Sequence, residues 1–373
     1  MYLHTLGATL VEDKLYFTSC DFNALFCMDL REKKIEYKTY FAAFAKYRGG
    51  LYARQILYRN KIYFIPRSCN KMAIYDIETE KTAYVEIREK GDGPIRDAFI
   101  EGNYLWMFYV GYSAGIFKLS LSSNKYEVIN LDWKRAAAQI GCPEQSICPP
   151  EGNSVFSSGR QLGKYWWLFA EKHGYLIAYD WRGNKIKAYS FASLKDKLTA
   201  GNAQEKVWII ARNENRVLEF DYRTETEKWI EIPEISQIPG DIMRIIEQDE
   251  YLLFVKQKGM ISVSKKAYRA KCFPFQREKN LFEYVVYKGK MILLPASGRG
   301  MVVYDSAENR IEEYACEWSE KLTDRTLKEI FAGCIEETVC ELKEFVQLDS
   351  QDKRNNFQTS GDKVWAALCG GQQ

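Results

Sequence analysis

The chain has 373 residues, 46% apolar and 28% charged, with a net charge of +3. That length holds two ordinary domains or one repeat array, and the near-neutral balance gives no basic footprint for nucleic acid. Mean hydropathy is −0.38, and no stretch reaches the roughly 18 apolar residues of a membrane span, so a soluble protein is expected.

The N-terminal stretch MYLHTLGATLVEDKLYF lacks the basic opening, apolar block and small-residue cleavage site of a leader. The ten cysteines are irregularly spaced and several sit in apolar runs, as reduced thiols do. A cytoplasmic protein without disulfides is expected.

Taken in order, the chain repeats one pattern. Apolar strands are predicted at Leu15–Phe17, Lys61–Ile65, Leu105–Tyr109, Tyr165–Phe169, Val207–Ile210, Tyr251–Val255 and Met291–Leu294. With Leu15, Ile62, Leu105, Tyr165, Val207, Tyr251 and Met291 as markers, the steps are 47, 43, 60, 42, 44 and 40 residues. After each marker come a polar turn and a second apolar strand, such as Met72–Ile77, Tyr175–Asp180 and Gly300–Asp305. A third, more polar strand follows, and a further short strand precedes each marker.

Four strands per unit at roughly 40–45 residues per unit is the period of a propeller blade. A lone four-stranded sheet cannot bury both faces, whereas blades set radially cover each other. Strands buried on both sides read as continuous apolar runs, and the marker strands do: IYFI, LWMFY, YWWLF, VWII, YLLFV and MILL. A two-layer sandwich would accommodate the aromatics but not the regular spacing. The fold expected is all-β, a seven-bladed β-propeller over residues 1–315, followed by a C-terminal helix and closing strands over 316–373.

The segment Ile74 to Lys81, an apolar residue then Tyr-Asp-x-x-Thr-x-Lys, resembles the repeats of kelch, quinoprotein-type and WD40-type propellers. Tyr75-Asp76, Tyr179-Asp180, Phe220-Asp221 and Tyr304-Asp305 are similar to the dipeptide that closes a WD40 blade. The Gly-Gly pair of kelch, the Trp-Asp of WD40 and the tryptophan-docking motif of quinoproteins are missing. The resemblance covers residues about 5–315 and extends to propellers of unassigned activity common in bacterial genomes. It implies a fold and no chemistry.

Two segments break the period. Leu131 to Ser158 holds a helical patch, Trp133–Ile140, and two prolines at 149 and 150; a long loop in a tight array is often a lid or binding loop. Beyond Cys316, apolar residues at three- and four-residue spacing predict an amphipathic helix from about Thr323 to Val346 that packs on the side of the propeller. Asn356 to Leu368 resembles the first half of a repeat and supplies either closing strands or half of an eighth blade.

A propeller carries its inter-blade loops and second-to-third-strand turns on one face. The residue eight before each marker falls on the innermost strand: Gly7, Arg54, Asp97 beside Arg96, Ser157, Thr199, Met243 beside Arg244, and Glu283. The candidate ligand-binding residues are Arg54, Arg67, Arg96, His173, Arg212, Arg244, Glu283, Arg299, Tyr112 and Trp133. Arginine forks suit carboxylate and phosphate, and aromatic faces suit sugar rings. The competing expectation is that these arginines pair with acids of neighbouring blades and hold the ring closed.

With two histidines, no Gly-x-Ser-x-Gly elbow and no metal-ligand spacing, no catalytic set is identified. The expectation is a non-catalytic module that binds a small anionic or sugar ligand, or another protein, on the loop face. The alternative is a glycan- or sugar-phosphate-active hydrolase or lyase with acids and arginines at the channel mouth. No cofactor, metal, nucleic acid or membrane is expected as a partner, and the chain is expected to be monomeric.

Overall fold

A computed structural model describes residues 5–19, 24–41, 51–67, 69–87, 95–110, 114–142, 158–162, 164–170, 174–183, 185–191, 198–202, 206–211, 214–248, 250–276, 280–297, 301–314 and 317–318. They form seven sheets, each built on four antiparallel strands from one contiguous stretch. Blade 1 is β1 (Thr5–Val11), β2 (Lys14–Ser19), β3 (Ala24–Asp29) and β4 (Lys34–Tyr40). Blade 2 is β5 (Tyr52–Tyr58), β6 (Lys61–Pro66), β7 (Lys71–Asp76) and β8 (Lys81–Glu86). Blade 3 is β9 (Ile95–Glu101), β10 (Tyr104–Val110), β11 (Ala114–Ser120) and β12 (Tyr126–Asn130), followed by α1 (Trp133–Ile140). Blade 4 is β13 (Ser158–Leu162), β14 (Tyr165–Ala170), β15 (Tyr175–Asp180) and β16 (Lys185–Ser190). Blade 5 is β17 (Leu198–Asn202), β18 (Lys206–Ala211), β19 (Arg216–Asp221) and β20 (Thr226–Glu231). Blade 6 is β21 (Ile242–Glu247), β22 (Tyr251–Lys256), β23 (Gly259–Ser264) and β24 (Ala270–Pro274). Blade 7 is β25 (Asn280–Tyr287), β26 (Lys290–Ser297), β27 (Met301–Asp305) and β28 (Arg310–Tyr314), and β29 (Glu317–Trp318) follows. The chain is a seven-bladed β-propeller.

Seven apolar clusters fill the seven blade boundaries. The second strand of each blade explains why. Its side chains alternate between two neighbours: in β6, Ile62 and Phe64 pack toward blade 1 while Tyr63 and Ile65 pack toward blade 3. Trp166 and Leu168 of β14 likewise face blade 3, and Trp167 faces blade 5. The boundary between blades 7 and 1 is filled like the rest, with Leu15, Phe17 and Phe26 against Ile292, Leu294 and Met301. Below it, Asp13 in the β1–β2 turn takes Lys288 Nζ at 3.0 Å and hydrogen bonds from Tyr287 Oη and Arg31. The ring closes by side chains, and β29 then lies parallel to β4, Trp318 opposite Ile35, as a fifth strand on the outside of blade 1. The predicted helix at 323–346 and the segment 356–368 fall outside the described residues.

The recurring Asp that follows an aromatic has a local cause. The carboxylate of Asp180 accepts the N–H groups of Arg182 and Gly183 at 3.1 Å each; Asp221 accepts those of Arg223 and Thr224, and Asp305 those of Ala307 and Glu308. Each closes the turn into the fourth strand, as Asp does in Asx turns. Among the described residues, a lysine at the start of the second strand or just before it adds an ion pair in three blades: Lys61–Asp76 at 3.7 Å, Lys164–Asp180 at 3.1 Å and Lys290–Asp305 at 2.9 Å. The Thr79 N–H holds the Asp76 carboxyl below its ordinary range, and Lys290 does the same for Asp305. In Asp180 burial pushes the other way, but the Gly183 N–H and Lys164 outweigh it. The unfolded chain takes up these protons first, so the stabilisation is complete above about pH 4 and is lost as pH falls through the lower folded values. Asp76→Asn combined with Asp305→Asn is expected to flatten the fall of the urea midpoint below about pH 4; an acid limb identical to wild type would contradict this.

The third strand of a blade starts where backbones crowd. A Cβ on Gly259 would lie 2.6 Å from the Phe273 carbonyl oxygen and 2.7 Å from Ile238 Cδ1. Gly259→Ala is expected to lower stability by about 1–3 kcal/mol through overpacking, measured by chemical denaturation. A change within experimental error would place the backbones further apart.

The predicted helical patch is α1. Asp132 accepts the Arg135 N–H at its start, and Gly141, at φ 65°, ends it. The helix covers the outer edge of blade 4, where Gln139 accepts from the Ala188 N–H at 2.7 Å and donates to the Ile186 carbonyl at 3.1 Å. This inserted helix accounts for part of the 60-residue step; the rest, residues 143–157, lies outside the described residues.

Candidate functional site

The innermost strands run side by side around the axis: β25 lies beside β1, β1 beside β5, β5 beside β9, β9 beside β13, β17 beside β21 and β21 beside β25. Five carry a register shift near their start: one extra residue stands at Leu6, Ala53, Arg96, Met243 or Phe282. Such a bulge re-aims the residue that follows it. Those residues, Gly7, Arg54, Asp97, Arg244 and Glu283, pair with Thr18, Ile65, Phe108, Val255 and Leu294, the same position in each second strand. Ser158 and Thr199 occupy it in blades 4 and 5. The layer around the channel therefore reads Gly7, Arg54, Asp97, Ser158, Thr199, Arg244, Glu283.

This corrects the predicted layer at two stations, Ser157 and Met243. The structural equivalents of Ile62 and Leu105 in blades 4 and 6 are Trp166 and Leu252, not the tyrosines one residue earlier. Tyr165 and Tyr251 open their strands and are half-buried, so their rings mimic the first core position.

The charges in the layer are paired one blade onward. Arg54 Nη1 of blade 2 meets Asp97 Oδ1 of blade 3, and Asp97 also accepts the Ala98 N–H at 2.9 Å. Arg244 Nη1 of blade 6 lies 3.1 Å from Glu283 Oε1 of blade 7, which also accepts the Tyr284 N–H at 3.0 Å. The Arg244 guanidinium sits 5.4 Å from the Tyr284 ring centroid, a cation–π distance. Asp97 is 3% exposed, yet 47% of the Arg54 side chain meets solvent: it lines a channel. Burial pulls the Arg54 guanidinium below its ordinary value; Glu283 opposes this and Arg244 adds to it. Arg54 thus feels Glu283 and Arg244 across blade 1, which contributes only Gly7 to the layer.

The other predicted site residues fall elsewhere. Arg67 follows β6 as an exposed residue, its N–H bonded to the Leu51 carbonyl at 2.7 Å. Arg96 is the bulge residue of β9. Trp133 opens α1 and is buried between blades 3 and 4, 7% exposed, in the core rather than the channel layer. Tyr112, His173, Arg212 and Arg299 lie outside the described residues. Sequence reasoning missed Tyr284 beneath Arg244, and it missed the cleft below Arg54. That cleft, about 450 Å³, runs between the inner strands of blades 2 and 3 from Arg54 to Tyr58 and Gly102. No sequence signal marked it; only the structure shows that Leu57, an apolar residue of an inner strand, is 39% exposed there.

Among the described residues no cluster of His, Cys, Asp and Glu is arranged to hold a metal, and no helix is long and apolar enough to cross a membrane. Among the described residues, Cys27, Cys69, Cys142 and Cys272 form no disulfide with one another.

No protein-family model matches the sequence, and no curated protein matches it. Solved structures do. Virginiamycin B lyase from Staphylococcus aureus superposes with a TM-score of 0.57 at 13% identity, over 79% of this chain and 95% of that one. Hsv2 from Kluyveromyces lactis gives 0.50 at 8% identity, over 84% and 98%. The extracellular domain of the one-component system BT4673 from B. thetaiotaomicron gives 0.52 at 12%, over 84% and 46%. At such identities the likeness is one of fold alone, and it is to a propeller in the lyase and in Hsv2 alike.

Proposed function

We propose that this propeller is a non-catalytic binding module that takes a small ligand or a segment of another protein at the mouth of its central channel. The observation that carries this reading is the charged layer: Arg54, Asp97, Arg244 and Glu283 converge on one level of the channel, and solvent reaches Arg54. Because the two arginines are matched by two acids, the layer favours a ligand that brings both an acceptor and donors over a bare polyanion.

The glycan- or sugar-phosphate-active alternative asks for a carboxyl group held protonated near neutral pH as a general acid. Both carboxyls of the channel layer, Asp97 and Glu283, are instead paired with arginines, which supports the binding reading.

A thermal-shift screen with sugars, sugar phosphates, carboxylates and amino acids tests the reading on wild type and Arg54→Gln. A carboxylate-bearing ligand is expected to raise the melting temperature of wild type and to lose most of that shift in the variant. No shift with any compound, or a shift that Arg54→Gln leaves intact, overturns the site.

A further inference from the structure

Resting on that reading and narrowing its ligand class, we infer that the cleft between the inner strands of blades 2 and 3 binds the extended C-terminal end of a peptide, its carboxylate on Arg54. The first ground is the shape of the lining. The cleft touches the consecutive residues 54–58 of β5 and 98–100 of β9. Successive residues of a strand point to opposite faces, so a cavity touched by all of them faces the strand's edge, its backbone. Both strands are terminal in their sheets, with ladders only to β6 and β10. Their other edges pair with no strand among the described residues, and such edges are the surface to which extended peptides add.

The second ground is length. The Arg54–Asp97 ion pair bridges the two blades at the upper end, and the Tyr58 hydroxyl, donating to the Gly102 carbonyl at 3.4 Å, bridges them at the lower end. Four residue steps of strand separate Arg54 from Tyr58, about 13 Å at ~3.3 Å per residue, room for an extended tetrapeptide. A volume of about 450 Å³ lies within the usual range for ligand sites.

The third ground is chemistry along that length. Arg54 has five N–H donors in a fork that matches a carboxylate, and it meets Asp97 through Nη1. Below it the walls turn apolar: Leu57 is 39% exposed, and Ile56 and Ile100 are half-buried on the side of the boundary between blades 2 and 3. A ligand with a terminal carboxylate, a hydrogen-bonding backbone and apolar side chains satisfies all three. A sugar phosphate leaves the apolar walls unused, and a lone carboxylate leaves the strand edges unused.

The test uses the full chain and two randomised pools of N-acetylated tetrapeptides, one ending in a free carboxylate and the other in a carboxamide. Peptides retained on ultrafiltration are counted by mass spectrometry. The carboxylate pool is expected to be retained at least about tenfold more than the carboxamide pool, with apolar residues enriched. Arg54→Gln is expected to abolish that preference. Because Arg54 also ties two blades, Leu57→Asp serves as the second variant: it changes a solvent-reached wall, is expected to melt as wild type does, and should cut retention about tenfold. Equal retention of the two pools, or retention untouched by Leu57→Asp, overturns the inference. If neither pool is retained while a small carboxylate still shifts wild type and not Arg54→Gln, the peptide assignment falls and the channel-mouth site stands.

Discussion

Trp166→Ala and Trp167→Ala are each expected to destabilise the protein by about 3–5 kcal/mol, the range for truncating a buried large aromatic. The pair is informative because the two residues are adjacent. On a sheet with one wet face, neighbours along a strand cannot both be core, and one truncation would be nearly silent. Here both side chains are 0% exposed. Trp166 fills the boundary with blade 3 beside Phe108 and Phe99, at ring distances of 5.4 and 5.5 Å. Trp167 fills the boundary with blade 5, 5.0 Å from Tyr222. Neither indole N–H has a protein acceptor among the described residues, so Trp167→Phe is expected to cost much less than Trp167→Ala: the lost area is partly offset by removing an unpaired donor. Urea denaturation of the three variants checks this. A silent Trp166→Ala or Trp167→Ala would mean that one side of blade 4 is uncovered.

Phe17→Ala tests the boundary where the first and last blades meet. Phe17 is fully buried, stacked 5.7 Å from Phe26 and packed in one cluster with Ile292, Leu294 and Met301 of blade 7. Its truncation is expected to cost about 3–5 kcal/mol, as much as a boundary formed by consecutive blades. In an open array, blade 1 would have a solvent-facing side, and Phe17→Ala would fall within ~0.5 kcal/mol of wild type, as surface substitutions do. Asp13→Ala, beneath the same boundary, is expected to cost less, about 1–2 kcal/mol, because Arg31 and Lys288 are mostly exposed and exposed ion pairs contribute little.

The architecture was legible because a strand buried on both faces abandons alternation, and IYFI, YWWLF and YLLFV are such strands. The tyrosine–aspartate repeat was also legible, and its basis is a carboxylate closing a turn. What the sequence hid was register. Tyr165 and Tyr251 read as core and shifted two blades by one residue, which exchanged Arg244 for Met243 at the channel. The pairing of charges was hidden too, although it left a trace. Arg54 and Asp97, and Arg244 and Glu283, occupy the same register position in successive blades, about one period apart. Matching charges at that spacing is the rule that would have found them. The cleft below Arg54 leaves no composition signal, since backbone edges line it.

The most direct test of ring closure is a zero-length cross-link. Lys288 Nζ stands 3.0 Å from Asp13 Oδ1, in the last and first blades. Carbodiimide treatment of the native protein, followed by digestion and mass spectrometry, is predicted to yield an amide between Lys288 and Asp13 alongside the within-blade amide between Lys290 and Asp305, whose atoms lie 2.9 Å apart. Recovery of the Lys290–Asp305 link without the Lys288–Asp13 link would contradict a closed ring.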